Sequence, residues 1–132
     1  MTPDQDAFLR EHVWGLLATS RAGGGPQVTM IAYHYDGTDA VVSCRRQAAK
    51  YVNALARPEV VLTVTEDRGY LSVYGTAECL TTGPERDALT RRVRDALGPG
   101  DAQMLDDAFA RGLDEVGRVI IRVRPAKVQG RI

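Results

Sequence analysis

The chain has 132 residues, a length that fits a single domain over residues 1–132 with one hydrophobic core. Hydrophobic residues make up 44% of it and charged residues 26%, which is typical of a globular protein and excludes a disordered or fibrous one. Seventeen basic residues balance seventeen acidic ones. This balance argues against a general nucleic-acid or anionic-membrane binder, so any anion site has to be local.

The N-terminal segment MTPDQDAFLREH carries acidic residues early and has no apolar centre, so we do not expect it to be a secretory signal. No apolar run approaches membrane-spanning length. The two cysteines, Cys44 and Cys79, lack metal-ligand spacing and are too few for a disulfide scaffold. We therefore expect a protein of the reducing cytoplasm, without membrane partners.

The first predicted elements are a helix and a hairpin. The helix, over residues 2–12, begins with the hydroxyl cap Thr2 and with Gln5 three residues later. Residues 13–20, VWGLLATS, are apolar and uncharged, which predicts a largely buried strand. The turn RAGGG permits positive φ angles and predicts a hairpin to a second strand that begins at Pro26.

The second strand alternates from residue 27 to residue 35, with Val28, Met30 and Ala32 on one face and Thr29, Ile31 and Tyr33 on the other. Neither face is consistently polar. This pattern suits a barrel strand with one face in the core and the other in an interface or under a ligand. A turn at Asp36 and Gly37 then leads to a third strand over 40–44 and a helix over 47–56.

Two strands over 59–66 and 70–80 are predicted to pair around a turn, and Gly75 inside the second indicates a bulge or a close backbone approach. Helices over 84–97 and 105–116, interrupted at 98–100, precede a last strand over 119–125 and a short tail. Six strands with several hairpin turns favour a mainly β fold: an antiparallel sheet closed into a small barrel, with helices packed outside.

No acidic residue occurs between Asp39 and Glu59, whereas four basic residues do: Arg45, Arg46, Lys50 and Arg57. The cluster lies where a strand ends and a helix begins, and free backbone N–H groups and the helix dipole already favour an anion there. Arginine adds forked donors that match phosphate oxygens. We therefore predict a site for a phosphorylated cofactor.

Each candidate side chain also has a structural alternative. On a helical wheel Ala48, Val52 and Leu55 form the core-facing stripe and Lys50 points nearly opposite, so Lys50 could simply be solvated. Gln27 and Thr29 could bond a ligand or merely be exposed. Trp14, Tyr70 and Tyr74 could stack on a ligand or belong to the core. Neither histidine has an evident catalytic partner, and the phosphate-loop, dinucleotide-loop and serine-hydrolase motifs are absent.

Four runs together resemble a known family: WGLLATSRAGGGPQVTMIAYHYDG, VVSCRRQAAKYVNAL, EVVLTV and YLSVYGTAECL. They are similar to the pyridoxamine 5′-phosphate oxidase-like split-barrel flavoproteins, and most similar to the short actinobacterial branch that uses the deazaflavin coenzyme F420. The resemblance implies a homodimer in which each protomer is a six-stranded antiparallel split β-barrel. It also implies two cofactor sites in clefts at the dimer interface.

The resemblance further implies a set of cofactor-binding residues. The ring would be lined by Gln27, Thr29 and Met30, and the ribityl chain and phosphate would be met by Ser43, Cys44, Arg45 and Arg46. Lys50 would lie near the ring's polar edge or the phosphate. Tyr70, with Tyr74, would come from the partner protomer. The chain departs from the family at one place, because many relatives carry an arginine where Ala48 stands.

The implied activity is a coenzyme F420-dependent oxidoreductase that transfers a hydride between the deazaflavin and a small organic acceptor. No protein side chain is assigned a catalytic role, since the cofactor carries the chemistry. Two alternatives keep the same fold: an FMN-binding oxidase or reductase, and a non-catalytic protein that binds flavin or deazaflavin. The acceptor cannot be identified from the sequence, because acceptor pockets in such folds are built by loops and by the partner chain.

Overall fold

The computed structural model describes residues 1–98 and 106–132. Its elements in chain order are α1 (Pro3–Glu11), β1 (Trp14–Ser20), β2 (Pro26–Tyr35), β3 (Ala40–Arg45), α2 (Ala49–Ala56), β4 (Glu59–Glu66), β5 (Gly69–Leu80), α3 (Pro84–Leu97), α4 (Asp106–Val116) and β6 (Arg118–Arg131). The predicted order of helices and strands is confirmed. Pro99 and Gly100 of the predicted helix break, and Leu105, lie outside the described residues.

The six strands close into a barrel in the order β1-β2-β3-β6-β5-β4, and every neighbouring pair is antiparallel. The predicted six-stranded antiparallel barrel is thus confirmed. β6 is longer than the predicted 119–125, because its second half continues to pair with β5 beyond an irregularity at Tyr74 and Gly75. That irregularity is the predicted bulge: a Cβ on Gly75 would lie 2.5 Å from the carbonyl oxygen of Arg124.

The barrel interior is filled by alternate residues of each strand. Leu17 of β1, Tyr33 of β2 and Leu62 of β4 are completely buried. The prediction that β1 is largely buried is wrong for its outer face, where Trp14 is 56% and Leu16 38% exposed. The reason is the two-residue period of a strand, which sends every second apolar side chain of β1 out of the barrel.

Helix α1 covers one part of this core. The predicted capping box is confirmed: the Thr2 hydroxyl accepts from the backbone N–H of Gln5, and the Gln5 side chain accepts from the backbone N–H of Thr2. Further along the helix, the buried hydroxyl of Tyr33 donates to the carbonyl of Leu9 at 2.7 Å. This bond ties the helix to β2.

Helix α2 faces the barrel with different residues than the helical wheel predicts. Tyr51, Asn53 and Ala54 are buried, whereas Val52 is 52% and Leu55 63% exposed. Asn53 turns inward because it has partners there: its amide donates to the Thr19 hydroxyl at 3.1 Å. Only the folded hairpin supplies those partners, so the sequence pattern alone cannot reveal them.

Helices α3 and α4 pack over β2, β3 and β6, and the fully buried Arg86 holds them together. Its guanidinium donates to the carbonyls of Thr81 and Arg118 at 3.0 and 2.9 Å, and it pairs with the carboxylates of Asp87 and Asp114, each at 2.7 Å. Arg86 therefore joins α3, α4 and the start of β6. No helix among the described residues is long and apolar enough to cross a membrane.

Candidate functional site

A cavity of about 690 Å³ lies where β3 ends and α2 begins, a size ordinary for small-molecule sites. Residues of β1, of β2 and of the α4–β6 junction also meet at this corner. The outer face of β1 and β2 forms one wall, and the junction of α4 and β6 forms another. The corner is built by backbone bonds, since Arg46 N–H donates to the Gly117 carbonyl at 2.8 Å and Ala48 N–H to the Arg45 carbonyl at 3.0 Å.

One wall of the cavity is basic. Arg45, Lys50 and Arg118 line it, and none of the described lining residues is acidic. In the part of the chain that the structure describes, none of these three cations has a carboxylate within ion-pair distance. Burial lowers the pKa of Arg118, and repulsion from the guanidinium groups of Arg94 and Arg45 lowers it further. Such a cluster of like charges favours an anionic ligand.

The facing wall is apolar and aromatic. Trp14, Ala32 and Met30 line it, and the pairing of β1 with β2 sets Trp14 directly opposite Ala32. Met30 is 68% exposed, although it is a large apolar side chain. A flat ring could therefore rest on this wall while an attached anion reaches the basic one.

Cys44 and Ser43 also line the cavity. Burial raises the pKa of the Cys44 thiol to about 11, and the nearby charges of Lys50 and Arg118 offset this only in part. Cys44 is therefore a neutral thiol near pH 7 and lacks the thiolate that a nucleophile needs. Ser43 is half-buried and offers a hydroxyl that can donate or accept.

Of the nine residues predicted to bind the cofactor, five line this cavity: Met30, Ser43, Cys44, Arg45 and Lys50. Lys50 is half-buried there, which argues against the alternative that its side chain is simply solvated. Gln27 instead lines a second cavity of about 460 Å³ that borders α2 at Ala49 and Asn53. Its side-chain oxygen lies 3.4 Å from the Asn53 amide, which leaves its own NH₂ group for a ligand.

The remaining three predicted residues line neither cavity. Thr29 is half-buried on β2, opposite Leu17 of β1. Arg46 is exposed on the turn after β3, and only its backbone N–H bonds within the corner. Tyr70 pairs with Arg131, the last residue of β6, whereas the cavity borders Arg118, the first. Within one chain, Tyr70 is therefore at the other end of the strand.

Arg118 and the α4–β6 wall were not predicted from the sequence. Arg118 is the register partner of Arg45 across β3 and β6, a neighbourhood created by strand pairing over a long chain separation. No local pattern signals it. Trp14 was considered as a stacking residue, and its place in the cavity wall agrees with that interpretation. Among the described residues, no group of three or more His, Cys, Asp or Glu side chains is arranged to hold a metal ion.

A family model described as pyridoxamine 5′-phosphate oxidase matches residues 1–131 of the chain. Among curated proteins, none matches the sequence. Among solved structures, one described as an F420 reductase is 27% identical, with a TM-score of 0.72 and 94% of each chain covered.

Two further structures share the fold at lower identity. A conserved hypothetical protein from Mycobacterium tuberculosis is 19% identical with a TM-score of 0.81, and the comparison covers 99% of this chain and 84% of that one. The heme storage protein from Vibrio cholerae is 17% identical with a TM-score of 0.71, covering 98% of this chain and 93% of that one. Identity at this level speaks for the split-barrel fold and not for a shared ligand.

Proposed function

Since the chain belongs to the pyridoxamine 5′-phosphate oxidase family, we propose that it is an oxidoreductase whose cavity binds a phosphorylated flavin-type cofactor, specifically the deazaflavin coenzyme F420. One observation carries the proposal: three cations without carboxylate partners, among the described residues, face an apolar aromatic wall in one cavity. The choice of the deazaflavin is supported by the similarity to the F420 reductase, which extends over 94% of both chains.

The residues present fit such a group. Arg45 and the N-terminus of α2 would hold its phosphate, as charge-assisted donors and the helix dipole both favour an anion. Met30 and Trp14 would support the ring, and the side chains of Ser43 and Cys44 would line the chain between ring and phosphate. Arg45 would take the anion contact that Ala48 cannot make, since both residues line the cavity.

When bound, the cofactor supplies hydride transfer to or from a small organic acceptor. The protein's own task is to orient the ring against the acceptor and to exclude water from the site. Lys50, half-buried in the cavity wall, would stabilise negative charge at the ring's polar edge, because a positive group acts more strongly there than in bulk water. No step requires a nucleophilic side chain, in agreement with the raised pKa of Cys44.

We also propose that a second copy of the chain covers the outer face of β1, β2, β4 and β5. Residues paired across the strands make this face continuous. Met30 of β2 lies opposite Leu16 of β1, and the neighbouring row of paired residues runs from Val28 of β2 to Tyr74 of β5. It holds Trp14 and Met30, which line the cavity, so a partner seated there would complete the site's wall. Exposed apolar faces of this kind are typical of interfaces between chains.

This arrangement would explain most of the predicted residues outside the cavity. Tyr70 shares a strand face with Tyr74, which is 41% exposed, so both could reach the partner's site. Gln27 would contact a distal part of the ligand with its NH₂ group, and Arg46 would act at the edge of the site. Thr29 shares the barrel-facing side of β2 with the buried Tyr33, so a partner on the outer face does not bring it into the site. Replacing the interface residue Val28 with Asp should convert a dimer to monomers in sedimentation equilibrium. A monomeric wild-type protein would contradict the proposed interface.

The cofactor can be tested directly, because the chain has a single tryptophan and Trp14 lines the cavity. Titration of the apoprotein with coenzyme F420 should quench Trp14 fluorescence with saturation, and reduced F420 should be consumed when quinones or enones are added. Micromolar or tighter binding of FMN without any binding of F420 would refute the deazaflavin and support an FMN oxidase or reductase. Tight F420 binding without turnover of any acceptor would support a non-catalytic binding protein.

A further inference from the structure

Two arginines face each other across the pairing of β3 with β6. Arg45, the last residue of β3, is the register partner of Arg118, the first residue of β6, and both line the cavity. Side chains of residues directly opposite each other in an antiparallel pair lie on the same face, only about 5 Å apart at their Cβ atoms, and like charges there destabilise the sheet. The pair therefore carries an unfavourable charge interaction within the ligand site.

Nothing acidic relieves this repulsion among the residues that the structure describes. Arg118 is half-buried, and its guanidinium has no carboxylate within ion-pair distance in those residues. Burial first, and then the nearby charges of Arg94 and Arg45, lower its pKa. A fully solvated arginine would experience less of this repulsion, because water and salt would screen its charge.

The backbone of Arg118 is held in place independently of any ligand. Its carbonyl accepts a hydrogen bond from Arg86 at 2.9 Å, and Arg86 is 1% exposed. Arg86 in turn is anchored on α4 by Asp114 at 2.7 Å. The start of β6 therefore presents Arg118 to the cavity from a fixed position, which lowers the entropy cost of using it for binding.

We propose that Arg118, opposite Arg45, forms an oxyanion subsite at the α4–β6 wall that binds a phosphate or carboxylate group. The inference extends the proposed function, because it assigns a second anionic contact within the same cavity. Such a group has two possible sources: the phosphate or acidic tail of the cofactor, or an acid group on the acceptor. In either case the bound oxyanion separates the two guanidinium groups and compensates their charge.

Oxyanion binding at this subsite is tested with inorganic phosphate as the probe. Trp14 fluorescence reports the binding. Replacing Arg118 with Gln should weaken phosphate binding about tenfold, the effect of one charge-assisted hydrogen bond, and Arg118→Lys should restore most of it. Arg68→Gln removes the same charge from the exposed turn between β4 and β5, so it should leave phosphate binding unchanged. Absence of phosphate binding by the wild type, or equal binding by Arg118→Gln, would overturn the proposal.

Binding of F420 and of its deazaflavin core then identifies the source of the oxyanion. If the cofactor supplies the oxyanion, Arg118→Gln should also lose about tenfold in affinity for F420 but nothing for the deazaflavin core that lacks phosphate and tail. If the acceptor supplies it, phosphate binding falls while F420 binding stays unchanged. A wild-type protein that binds phosphate through Arg118 but does not bind F420 would refute the proposed cofactor and retain the subsite. The side-chain replacement leaves the Arg118 carbonyl bond intact, and a circular-dichroism melt checks the fold.

Discussion

The buried guanidinium of Arg86 allows a quantitative test of how the helical side of the barrel is held. Replacing Arg86 with Met keeps an unbranched apolar stem and removes every charge-assisted bond of the side chain. The carbonyls of Thr81 and Arg118, at 3.0 and 2.9 Å, lose their donor. The carboxylates of Asp87 and Asp114 are 22% and 57% exposed, so water can solvate them again at little cost.

The loss therefore comes mainly from the two carbonyls and from the apolar stem in a polar environment. A bond from a charged donor contributes about 1.5–3 kcal/mol, so the two carbonyl bonds together predict a loss of roughly 3–6 kcal/mol in the free energy of unfolding. This overlaps the loss of about 3–5 kcal/mol that is typical when one partner of a buried ion pair is removed. It is also a large fraction of the total stability of a typical domain, which is about 5–15 kcal/mol.

Urea unfolding, monitored by Trp14 fluorescence, gives the free energy of unfolding of each variant. The values can be compared directly when the slope of this free energy against urea concentration is equal in the variants. Arg10→Met is the matched control, because the Arg10–Asp6 pair at 2.7 Å lies on the surface, with side chains 51% and 34% exposed. We expect the control to lose far less than Arg86→Met, because solvent screens an exposed ion pair. Equal losses in the two variants would refute the argument that burial makes the Arg86 network stabilising.

Three further outcomes follow from the site and the sheet. Arg45→Ala should weaken F420 binding by about tenfold or more, whereas Arg46→Ala, outside the cavity, should change it less than about twofold. Equal effects of the two variants in fluorescence titrations would contradict the proposal that Arg45, and not Arg46, contacts the cofactor. Gly75→Ala should lower the free energy of unfolding by about 1–3 kcal/mol, because its Cβ would lie 2.5 Å from a carbonyl of β6. Gly23→Ala, with no atom within 4 Å of its Cβ, is the control, and equal melting temperatures would refute this. Cys44, with its pKa raised to about 11, should react slowly with iodoacetamide at about pH 8 and faster as the pH rises toward 11, since burial disfavours the thiolate. Rapid labelling of its peptide in mass spectrometry at the lower pH would contradict the buried thiol.

Much of the fold was determined by local features of the sequence. The capping box at Thr2, the glycine turn before Pro26 and the alternation along β2 specify a helix and a hairpin through backbone preferences and side-chain period, which act between near neighbours. Arg45 and Lys50 lie within a few residues of one turn, so their common place in the cavity was also predictable, although Arg46 between them lies outside it.

Other features depend on residues that are distant in the chain and meet only after folding. Asn53 faces inward and Leu55 outward because the polar partner of Asn53 comes from β1, which a helical wheel does not contain. Arg118 completes the basic wall because β6 pairs with β3, a contact that costs loop entropy and forms only with the closed barrel. The sequence by itself therefore determined the elements and one basic corner of the site. The tertiary structure decided which distant cation shares that corner, because strand pairing sets Arg118 opposite Arg45.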